Sequence, residues 1–472
     1  MILINVFGLA EGKNNMNSFD VFDTLIARRF LDSKYIWELM EKEFDIHEFA
    51  KRRPIPDDGS RSFREIYNKL VELNYISKNQ IELLIKREIE LEIENTYGIA
   101  ENLKLVNHGD LLISDMYLPS YVILQIVKNA GLNKQVTIHQ SNNDKGSGKI
   151  WKNLKNYPPN FHLGDNEHSD INQAIYNKIN AKLTKISDTS EIEKFLIKNK
   201  LQNLSFLCRE IRLTNIAERS FMLSTCLNLP ILFMFAEQIY RRYKNKDIFF
   251  LGRDCQLLWR LYNEYYGTSY YIPFSRKIVY CQPELAIKYL ENQISDNYIL
   301  IDISSTGGTW KEISKYKKFD ICALLFADSY DNRMHEIKDL PLNFNYINPT
   351  SKVGSTNINI ELFNCADHGM CSRLELISEK IVRINIDENE LNKNYVEKIH
   401  APIYQACEKK KSYKNLIRNE MNLIADEEIS KILKIFLENL CKLEIEENVK
   451  KQHSAKENDY FNFINILKKI QM

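Results

Sequence analysis

The strongest constraint in this sequence is the repeated alternation of short apolar segments with longer segments of helical periodicity. In the first half of the chain, the apolar segments lie at 16–22, 110–114, 136–140, 161–165 and 182–187. A second series lies at 247–252, 270–275, 298–304 and 321–328. Strands that alternate with helices are typical of parallel sheets covered by helices. We therefore predict an α/β chain with two parallel-sheet domains of the Rossmann-like type.

The helical segments divide the chain further. A charged stretch from about 33 to 105 has acidic and basic residues four positions apart, which predicts a helical insertion over the carboxyl edge of the first sheet. Residues 190–245 and 385–472 also have helical periodicity. At about 150 residues per domain, the 472 residues suffice for about three domains. We expect domains at 1–195, at 196–384 with bracing helices at its start, and at 385–472.

The C-terminal helical segment carries one broad apolar stripe. At helical spacing, the stripe contains Leu416, Leu423, Ile432, Leu433, Phe436, Leu437 and Leu440. A stripe of this width is typical of a helix that faces a protein core. We therefore expect a packing face here rather than a membrane or partner surface.

The overall charge excludes a partner held by diffuse electrostatic attraction. Lysine and arginine total 64, against 63 aspartate and glutamate residues, which leaves a formal net charge of +1. This balance provides no general attraction to nucleic acid or to anionic lipid. Basic residues are interleaved with acidic ones along the predicted helices, so nucleic-acid binding is not expected.

Three features predict a cytoplasmic protein without a membrane span. The first residues, MILINVFGLAEGKNN, lack the basic head and long apolar middle of a secretory signal. The most apolar window, 221–236, is broken by Pro230 and is too short to span a bilayer, so we expect a buried helix there. None of the nine cysteines lies in a CxxC pair, which is typical of free thiols in a reducing compartment.

Polar residues with phosphate chemistry follow the strands of the first series. In chain order they are Asp20 with Thr24, Ser114, Lys145 with Lys149, and Asp165 with Asp170. The carboxyl ends of parallel strands form the ligand-binding edge of an open sheet. The order of these residues predicts a phosphoryl-transfer site, because it supplies a carboxylate nucleophile, a hydroxyl, a lysine and an acidic pair.

These residues resemble, in order, the four motifs of the haloacid dehalogenase-like (HAD) superfamily over roughly residues 17–195. The resemblance implies that Asp20 is the nucleophile and that Ser114, Lys145 and Thr24 contact the substrate. It also implies that Mg²⁺ is held by three aspartates, namely Asp20, Asp165 and Asp170. The helical insertion looks like the cap of that superfamily.

The chain departs from that pattern at one position. Phosphatases of the superfamily usually carry a second aspartate two residues after the nucleophile, where this chain has Phe22. Asp23 follows one residue later. Either Asp23 or a residue of the cap protonates the leaving oxygen, or hydrolysis is slow, or the domain has lost catalysis.

A glycine-rich turn in the second series forms another constellation. The strand that ends near Asp302 is followed by Ser304, Ser305, Thr306, Gly307, Gly308 and Thr309, and then by a helical pattern. Hydroxyls and free backbone N–H groups at such a turn can bind an anion. The Walker phosphate loop is excluded because its G-x-x-x-x-G-K-[ST] pattern does not occur here.

Residues 245–330 resemble type I phosphoribosyltransferases. These enzymes carry two acids, three further residues and a threonine/glycine run. This chain keeps the second acid as Asp302 and the TGGT run, but it has Ile301 in place of the first acid. The resemblance implies that Asp302 and the turn bind phosphoribosyl pyrophosphate (PRPP). The resemblance also implies that FFLGRD, with Arg253 and Asp254, contains the pyrophosphate loop. It implies that PFSRKIVY, with Arg276 and Lys277, begins the hood loop.

The two resemblances together are similar to bifunctional ribofuranosyltransferases of bacterial capsule and O-antigen assembly. These enzymes transfer 5-phosphoribosyl from PRPP to a glycan and then remove the 5-phosphate in a HAD-like domain. The expected partners are PRPP, a free or lipid-linked glycan acceptor and other polysaccharide-assembly enzymes. Two alternatives remain open. One is a phosphatase of a soluble sugar phosphate or nucleotide with a non-catalytic second domain, and the other is a non-catalytic scaffold.

Overall fold

The chain folds as two compact units. The computed structural model describes residues 16–55, 61–216, 218–305, 307–327, 344–350, 360, 363–368, 371–385 and 390–442. Unit 1 extends to Thr189 and includes Arg212–Ile216, and unit 2 contains Ser190–Ile211 and the chain from residue 217 onward.

Unit 1 is built on a parallel sheet. Its strands are β1 (Ser18–Asp20), β2 (Ile26–Arg28), β3 (Thr96–Gly98), β4 (Leu111–Asp115), β5 (Thr137–Ser141), β6 (His162–Gly164) and β7 (Ala181–Leu183). Five of them form one parallel sheet in the order β5-β4-β1-β6-β7. Phe19 is in register with Leu112 on one side and Leu163 on the other, and all three side chains are buried. The predicted first parallel sheet is confirmed.

The helices of unit 1 lie mainly between these strands. They are α1 (Lys34–Phe44), α2 (Phe49–Arg52), α3 (Phe63–Glu72), α4 (Ile81–Glu94), α5 (Ala100–Leu103), α6 (Ser120–Asn129), α7 (Lys149–Leu154) and α8 (Gln173–Tyr176). Single π-helical and 3₁₀ turns occur at Glu167–Asn172 and Lys78–Gln80.

Helices α1–α4 form the helical insertion between β2 and β3, which pair antiparallel. A capping box of Ser62 and Glu65 begins α3, because each side chain satisfies a backbone N–H of the first turn. The ring of Phe63 lies 5.3 Å from the ring of Tyr117, which follows β4. The insertion therefore packs against residues at the carboxyl end of the sheet.

A fully buried ion pair lies inside the helical insertion. Arg53 Nε and Nη2 donate to the two oxygens of Glu88 at 3.0 and 2.8 Å, and both side chains are 0% exposed. The hydroxyls of Tyr67 and Tyr117 donate to the same carboxylate at 2.5 and 2.9 Å. The guanidinium carbon also lies 4.8–5.9 Å from four aromatic ring centroids. These contacts join the insertion to the residues that follow β4.

Removing one partner of this ion pair should strongly destabilise unit 1. In Glu88→Leu, Arg53 keeps its charge in a dry site without a carboxylate, and such a loss typically costs about 3–5 kcal/mol. We expect this decrease in the free energy of unfolding in urea denaturation followed by the fluorescence of Trp37, which lies beside Arg53.

The matched control is Glu82→Leu. Arg64 and Glu82 form an ion pair whose side chains are 56% and 74% exposed, and exposed pairs contribute little to stability. We expect no measurable change in this control. An equal loss of stability in both variants would contradict the role of the buried pair.

Unit 2 contains the second parallel sheet. Its strands are β8 (Asp247–Leu251), β9 (Tyr270–Ile272), β10 (Tyr298–Ser305), β11 (Ile321–Ala327) and β12 (Phe344–Thr350). Their order is β12-β11-β10-β8-β9, and every pair is parallel. The second predicted sheet is confirmed. Sequence analysis missed β12, because its sequence, FNYINPT, has no apolar run.

The remaining elements are a hairpin and eleven described helices. β13 (Cys371–Ile377) and β14 (Lys380–Asn385) pair antiparallel. The helices are α9 (Glu191–Lys198), α10 (Gln202–Leu213), α11 (Arg219–Leu223), α12 (Leu229–Tyr243), α13 (Gln256–Tyr265), α14 (Arg276–Cys281), α15 (Pro283–Glu291), α16 (Gly308–Ser314), α17 (Glu390–Glu408), α18 (Lys410–Asn422) and α19 (Asp426–Lys442).

The most apolar window lies in one continuous helix, Arg219–Tyr243. The prediction that Pro230 breaks this segment is wrong. The helix continues through Pro230, the second residue of α12, and a π-helical turn, Ser224–Asn228, lies directly before α12. Within the described chain, this helix alone is long and apolar enough to cross a membrane, but 89% of its apolar window is buried inside the protein. The expected buried helix is present.

The C-terminal apolar stripe is split between two helices. In α19 the predicted stripe residues are buried, namely Ile432, Leu433, Phe436, Leu437 and Leu440. Leu416 in α18 and Leu423 after it are 36% and 84% exposed, so the prediction is wrong for these two residues. The chain turns between α18 and α19, which changes the face that each helix buries.

Candidate active sites

Three neighbouring strands bring the predicted phosphate-handling residues of unit 1 to one edge of the sheet. Asp20 is the last residue of β1, Ser114 is the next-to-last residue of β4, and Asp165 directly follows β6. β4 and β6 lie on opposite sides of β1, so the strand order reverses at β1. Open parallel sheets bind ligands at such a point, outside the carboxyl ends of the strands.

Three carboxylates meet at this edge. Asp20, Asp165 and Asp170 each offer one oxygen, and these oxygens lie within 4.8 Å of one another. Asp20 is 5% exposed and Asp170 is 0% exposed. Gly164 allows Asp170 to approach the strand end, because a Cβ at residue 164 would lie 2.4 Å from the Asp170 side chain. The structure thus brings together the three aspartates that were predicted as metal ligands.

Lys145 lies against two of these carboxylates. Its ammonium group donates to Oδ1 of Asp20 and, at 2.8 Å, to Oδ1 of Asp170. Burial favours the neutral amine, but the two carboxylates outweigh burial and raise the pKa of Lys145. Lys149, the second lysine of this segment, instead lies 3.1 Å from Asp144 and is 67% exposed. Lys145 is therefore the lysine that reaches the carboxylates.

The buried cluster carries more negative than positive charge. Burial raises the pKa of Asp20 to about 8; Lys145 opposes this shift, and Asp170 and Asp165 add to it. Burial would also raise the pKa of Asp170, but the hydrogen bond with His162 and the positive charge of Lys145 outweigh it and lower that pKa. A cation at the cluster would relieve the excess negative charge.

Sequence analysis did not identify the residues that hold Asp170. His162 Nε2 lies 3.3 Å from Oδ1 of Asp170, and its Nδ1 lies 2.9 Å from the hydroxyl of Ser18. The backbone N–H of Asn166 donates to Oδ2 of Asp170 at 3.1 Å. Burial lowers the pKa of His162, which favours the neutral ring. His162 lies inside an apolar strand, so no sequence pattern distinguished it from a core residue.

The turn after β1 places two further predicted residues near Asp165. Asp23 has a left-handed backbone with φ 57°, and its N–H donates to the carbonyl of Ile26 at 2.7 Å. Thr24 is buried, and its hydroxyl donates to Oδ1 of Asp165 at 3.5 Å. Burial and then the charge of Asp23 raise the pKa of Asp165. Asp23 is therefore close enough to interact electrostatically with the carboxylate cluster.

The donor set of the cluster fits a hard divalent cation. Carboxylate oxygens are the ligands that Mg²⁺ prefers, and Mg²⁺ sites commonly use few protein carboxylates together with water. Asp20, Asp165 and Asp170 form the only group of this kind among the residues that the structure describes. A metal ion is therefore expected at these three residues if unit 1 uses one.

The raised pKa of Asp20 predicts a signed pH dependence of stability. Between the ordinary value of 3.8 and about 8, the folded chain keeps a proton on Asp20 that the unfolded chain has released. This group therefore makes stability fall as the pH rises through that range. Asp20→Asn removes the effect, so its gain in Tm over the wild type in metal-free buffer should grow from about pH 5 to about pH 8.

The control for this prediction is Asp32→Asn. Asp32 is an exposed carboxylate of unit 1, so its replacement should change Tm equally at all these pH values. A gain for Asp20→Asn that does not grow with pH would contradict the raised pKa of Asp20.

A cavity of about 540 Å³ opens at the carboxyl edge of the unit 2 sheet. This volume is in the range of small-molecule binding sites. Among its lining residues are seven that the sequence predicted, namely Arg253, Asp254, Arg276, Lys277, Asp302, Ser304 and Thr309. They come from the segments after β8, after β9 and at the end of β10. β8 and β10 are neighbours at the point where the strand order reverses, which is the usual ligand-binding position.

The alternation of side chains along β10 decides which predicted residues reach this cavity. Asp302 and Ser304 lie on one face and line the cavity. Ile301 and Ile303 are fully buried on the other face. Ser305 is also buried, and its hydroxyl accepts the N–H of Gly307 at 3.2 Å. Ser305 is thus the last residue of β10 and is not among the described residues that line the cavity; the substrate contact predicted for it stays a prediction.

The glycine-rich turn connects β10 to α16. Gly307 has φ 81°, a left-handed conformation that glycine adopts without strain, and it caps α16. Gly308 is the first residue of α16, and Thr309 lines the cavity. Gly307 and Gly308 shape the turn and are not among the described lining residues. The predicted contact from Thr306 lies outside the described residues.

Trp310 is a cavity residue that the sequence did not predict. Its indole N–H donates to Oδ2 of Asp302 at 3.1 Å. Its ring is parallel to that of Phe274, with an interplanar angle of 7° and a centroid separation of 6.2 Å. Both aromatic side chains line the cavity. A tryptophan at the start of a helix is usually a core residue. The sequence therefore did not indicate that the indole N–H of Trp310 donates to Asp302.

Comparison with protein-family models finds none that matches the chain, and a search of curated proteins finds no match.

Proposed function

We propose that this protein is a bifunctional ribofuranosyltransferase that uses Mg²⁺ and acts in bacterial glycan assembly. Unit 2 transfers a 5-phosphoribosyl group from PRPP to a hydroxyl of a sugar acceptor. Unit 1 then removes the 5-phosphate from the new ribofuranosyl group. This proposal gives each unit the chemistry that its HAD-like or phosphoribosyltransferase-like resemblance implies.

The observation that carries the proposal is the composition of the unit 2 cavity. Three cations, Arg253, Arg276 and Lys277, border the same space as the carboxylates of Asp254 and Asp302. Cations bind phosphate and pyrophosphate groups, whereas a carboxylate accepts hydrogen bonds from sugar hydroxyls. A phosphorylated sugar presents both kinds of group, so its chemistry matches that of the cavity.

In the proposed transfer, the bond between ribose C1 and a pyrophosphate oxygen breaks, and an acceptor hydroxyl oxygen forms the new bond to C1. The proton of that hydroxyl is released. Arg253 offsets negative charge on the departing pyrophosphate. Asp302, held by the indole N–H of Trp310 at 3.1 Å, orients the ribose through its hydroxyl groups. The products are the phosphoribosylated acceptor and pyrophosphate.

In the proposed hydrolysis, a carboxylate oxygen of Asp20 attacks phosphorus, and the bond from phosphorus to the sugar oxygen breaks. Water then cleaves the aspartyl phosphate, which releases phosphate and restores Asp20. Lys145 holds the nucleophile and offsets charge on the transferring group. Bound Mg²⁺ would supply further charge stabilisation at the oxygens of Asp20, Asp165 and Asp170.

Asp23 is the residue best placed to handle the proton of the leaving oxygen. Phe22 cannot do so, because it has no titratable group and its ring lies 4.5 Å from the guanidinium of Arg28. Asp23 lies close enough to Asp165 to raise the pKa of that carboxyl group. Its position beside the cluster supports the role of general acid, which typically contributes about 10²–10⁴-fold to a rate.

The test is an assay of both steps in one sample. The protein is incubated with PRPP, Mg²⁺ and a panel of glycan acceptors, and release of pyrophosphate and phosphate is measured. We expect the wild type to release both with a suitable acceptor. Asp20→Asn should release pyrophosphate only. It should accumulate a product that mass spectrometry shows to be one phosphate heavier than the product of the wild type.

Asp302→Ala should abolish pyrophosphate release but leave hydrolysis of a simple phosphate ester intact. The control Asp296→Ala alters an exposed aspartate before β10, outside the cavity, and should keep both activities. Ester hydrolysis without release of pyrophosphate from PRPP, whichever acceptor is present, would favour a phosphatase with a non-catalytic unit 2. The absence of both activities would favour a scaffold.

A further inference from the structure

The loop that carries Lys145 is held by a residue that the proposed mechanism does not use. This residue is Asp115, the last residue of β4 and the neighbour of Ser114. Its Oδ1 accepts the hydroxyl of Ser141 at 2.5 Å. The backbone N–H of Lys145 donates to both oxygens, at 3.2 and 3.0 Å, and the N–H of Gly146 donates to Oδ2 at 3.1 Å.

Three donors thus converge on one carboxylate: the Ser141 hydroxyl at the end of β5 and two backbone N–H groups of the loop that follows. Such a concave group of backbone N–H groups is a common way to hold an anion, and hydrogen bonds to a charged acceptor are stronger than neutral ones. The loop also bonds internally, because the N–H of Asp144 donates to the Ser141 hydroxyl at 3.0 Å. The N–H of Gly148 donates to the carbonyl of Lys145 at 3.0 Å. The loop is therefore compact and is attached to the sheet through Asp115.

This attachment fixes the position of the Lys145 backbone, from which its side chain extends. β4 is hydrogen-bonded to β1, whose last residue is Asp20. Asp115 ties the peptide of Lys145 to the end of β4, and from there the ammonium group reaches Asp20 and Asp170. A lysine has a long flexible side chain, so its position depends on how firmly its backbone is held.

We propose that Asp115 is a positioning residue for Lys145, which it holds at the carboxylate cluster through the loop after β5. Its catalytic consequence depends on the phosphatase activity proposed for unit 1, but its structural consequence does not. Without Asp115, the N–H groups of Lys145 and Gly146 lose their acceptor and the loop is released from β4. The ammonium group of Lys145 then becomes accessible to solvent.

The chain offers a matched control in the same loop. Asp144 is adjacent to Lys145 and carries the same charge as Asp115. Its carboxylate, however, lies 3.1 Å from His139 Nε2 and 3.1 Å from Lys149 Nζ rather than against the backbone of Lys145. Asp144→Ala removes a loop carboxylate without removing the acceptor that Asp115 provides.

The first experiment measures the accessibility of Lys145 in the full-length protein. The wild type, Asp115→Ala, Asp115→Asn and Asp144→Ala are treated briefly with an amine-acetylating reagent, and Lys145 is compared with exposed Lys149 by mass spectrometry. We expect Lys145 to be protected in the wild type and in Asp144→Ala and labelled at least tenfold faster in Asp115→Ala. Asp115→Asn should be intermediate, because its amide oxygen still accepts hydrogen bonds.

The second experiment measures hydrolysis of a simple phosphate ester with Mg²⁺. A shift of about 1 Å in a catalytic group can reduce a rate about 10²-fold, so we expect a comparable loss of kcat in Asp115→Ala, a smaller loss in Asp115→Asn and none in Asp144→Ala. Thermal unfolding of each variant identifies a general folding defect.

Continued protection of Lys145 in folded Asp115→Ala would overturn the proposal, as would equal labelling in Asp144→Ala. If Asp115→Ala does not fold, the comparison of Asp115→Asn with Asp144→Ala decides, and equal labelling and kcat in these two would overturn it. Inactivity of the wild type would instead contradict the phosphatase role of unit 1. The labelling result would still decide the role of Asp115.

Discussion

The convergence of three carboxylates, two of them buried, beside a single lysine is the interaction on which the site of unit 1 depends. Asp20, Asp165 and Asp170 converge within 4.8 Å, and one buried ammonium group cannot balance their charge. Placing charges in a protein interior is costly unless they are paired and hydrogen-bonded. Hydrogen bonds with His162 and Lys145 stabilise the carboxylate of Asp170. For Asp20 the remaining cost appears as a pKa raised to about 8. A cation at these three carboxylates would offset the excess negative charge.

In unit 2, the alternation of side chains along β10 determines which residues line the cavity. The period of two along β10 sends Asp302 and Ser304 to the cavity and the intervening isoleucines to the core. The carboxylate of Asp302 is then oriented by Trp310, an aromatic residue that also lines the cavity. The first acid of the phosphoribosyltransferase pattern is missing at Ile301, and the hydrophobic core accounts for the residue found there.

Residues in or directly after the carboxyl-terminal half of a strand could be predicted from the sequence, and residues that act across the sheet could not. Asp20, Asp165 and Asp302 stand beside apolar runs, so their position at the carboxyl edge follows from local pattern alone. His162, Asp115 and Trp310 make their important contacts with residues 8 to 30 positions away along the chain. Their own sequence surroundings resemble those of ordinary core or turn residues. Pro230 and Leu423 show the same limit for helices, because a π-helical turn precedes the helix that contains Pro230 and helix α18 ends just before Leu423.

The sequence by itself determined the alternation of strands and helices, the two parallel sheets and the polar residues available at each sheet edge, because strand period and turn composition are local properties. The tertiary structure alone decided which lysine reaches the aspartates, which face of β10 borders the cavity and which residues hold those groups in place. These outcomes depend on strand order and on burial, since both bring together side chains that are distant in the chain.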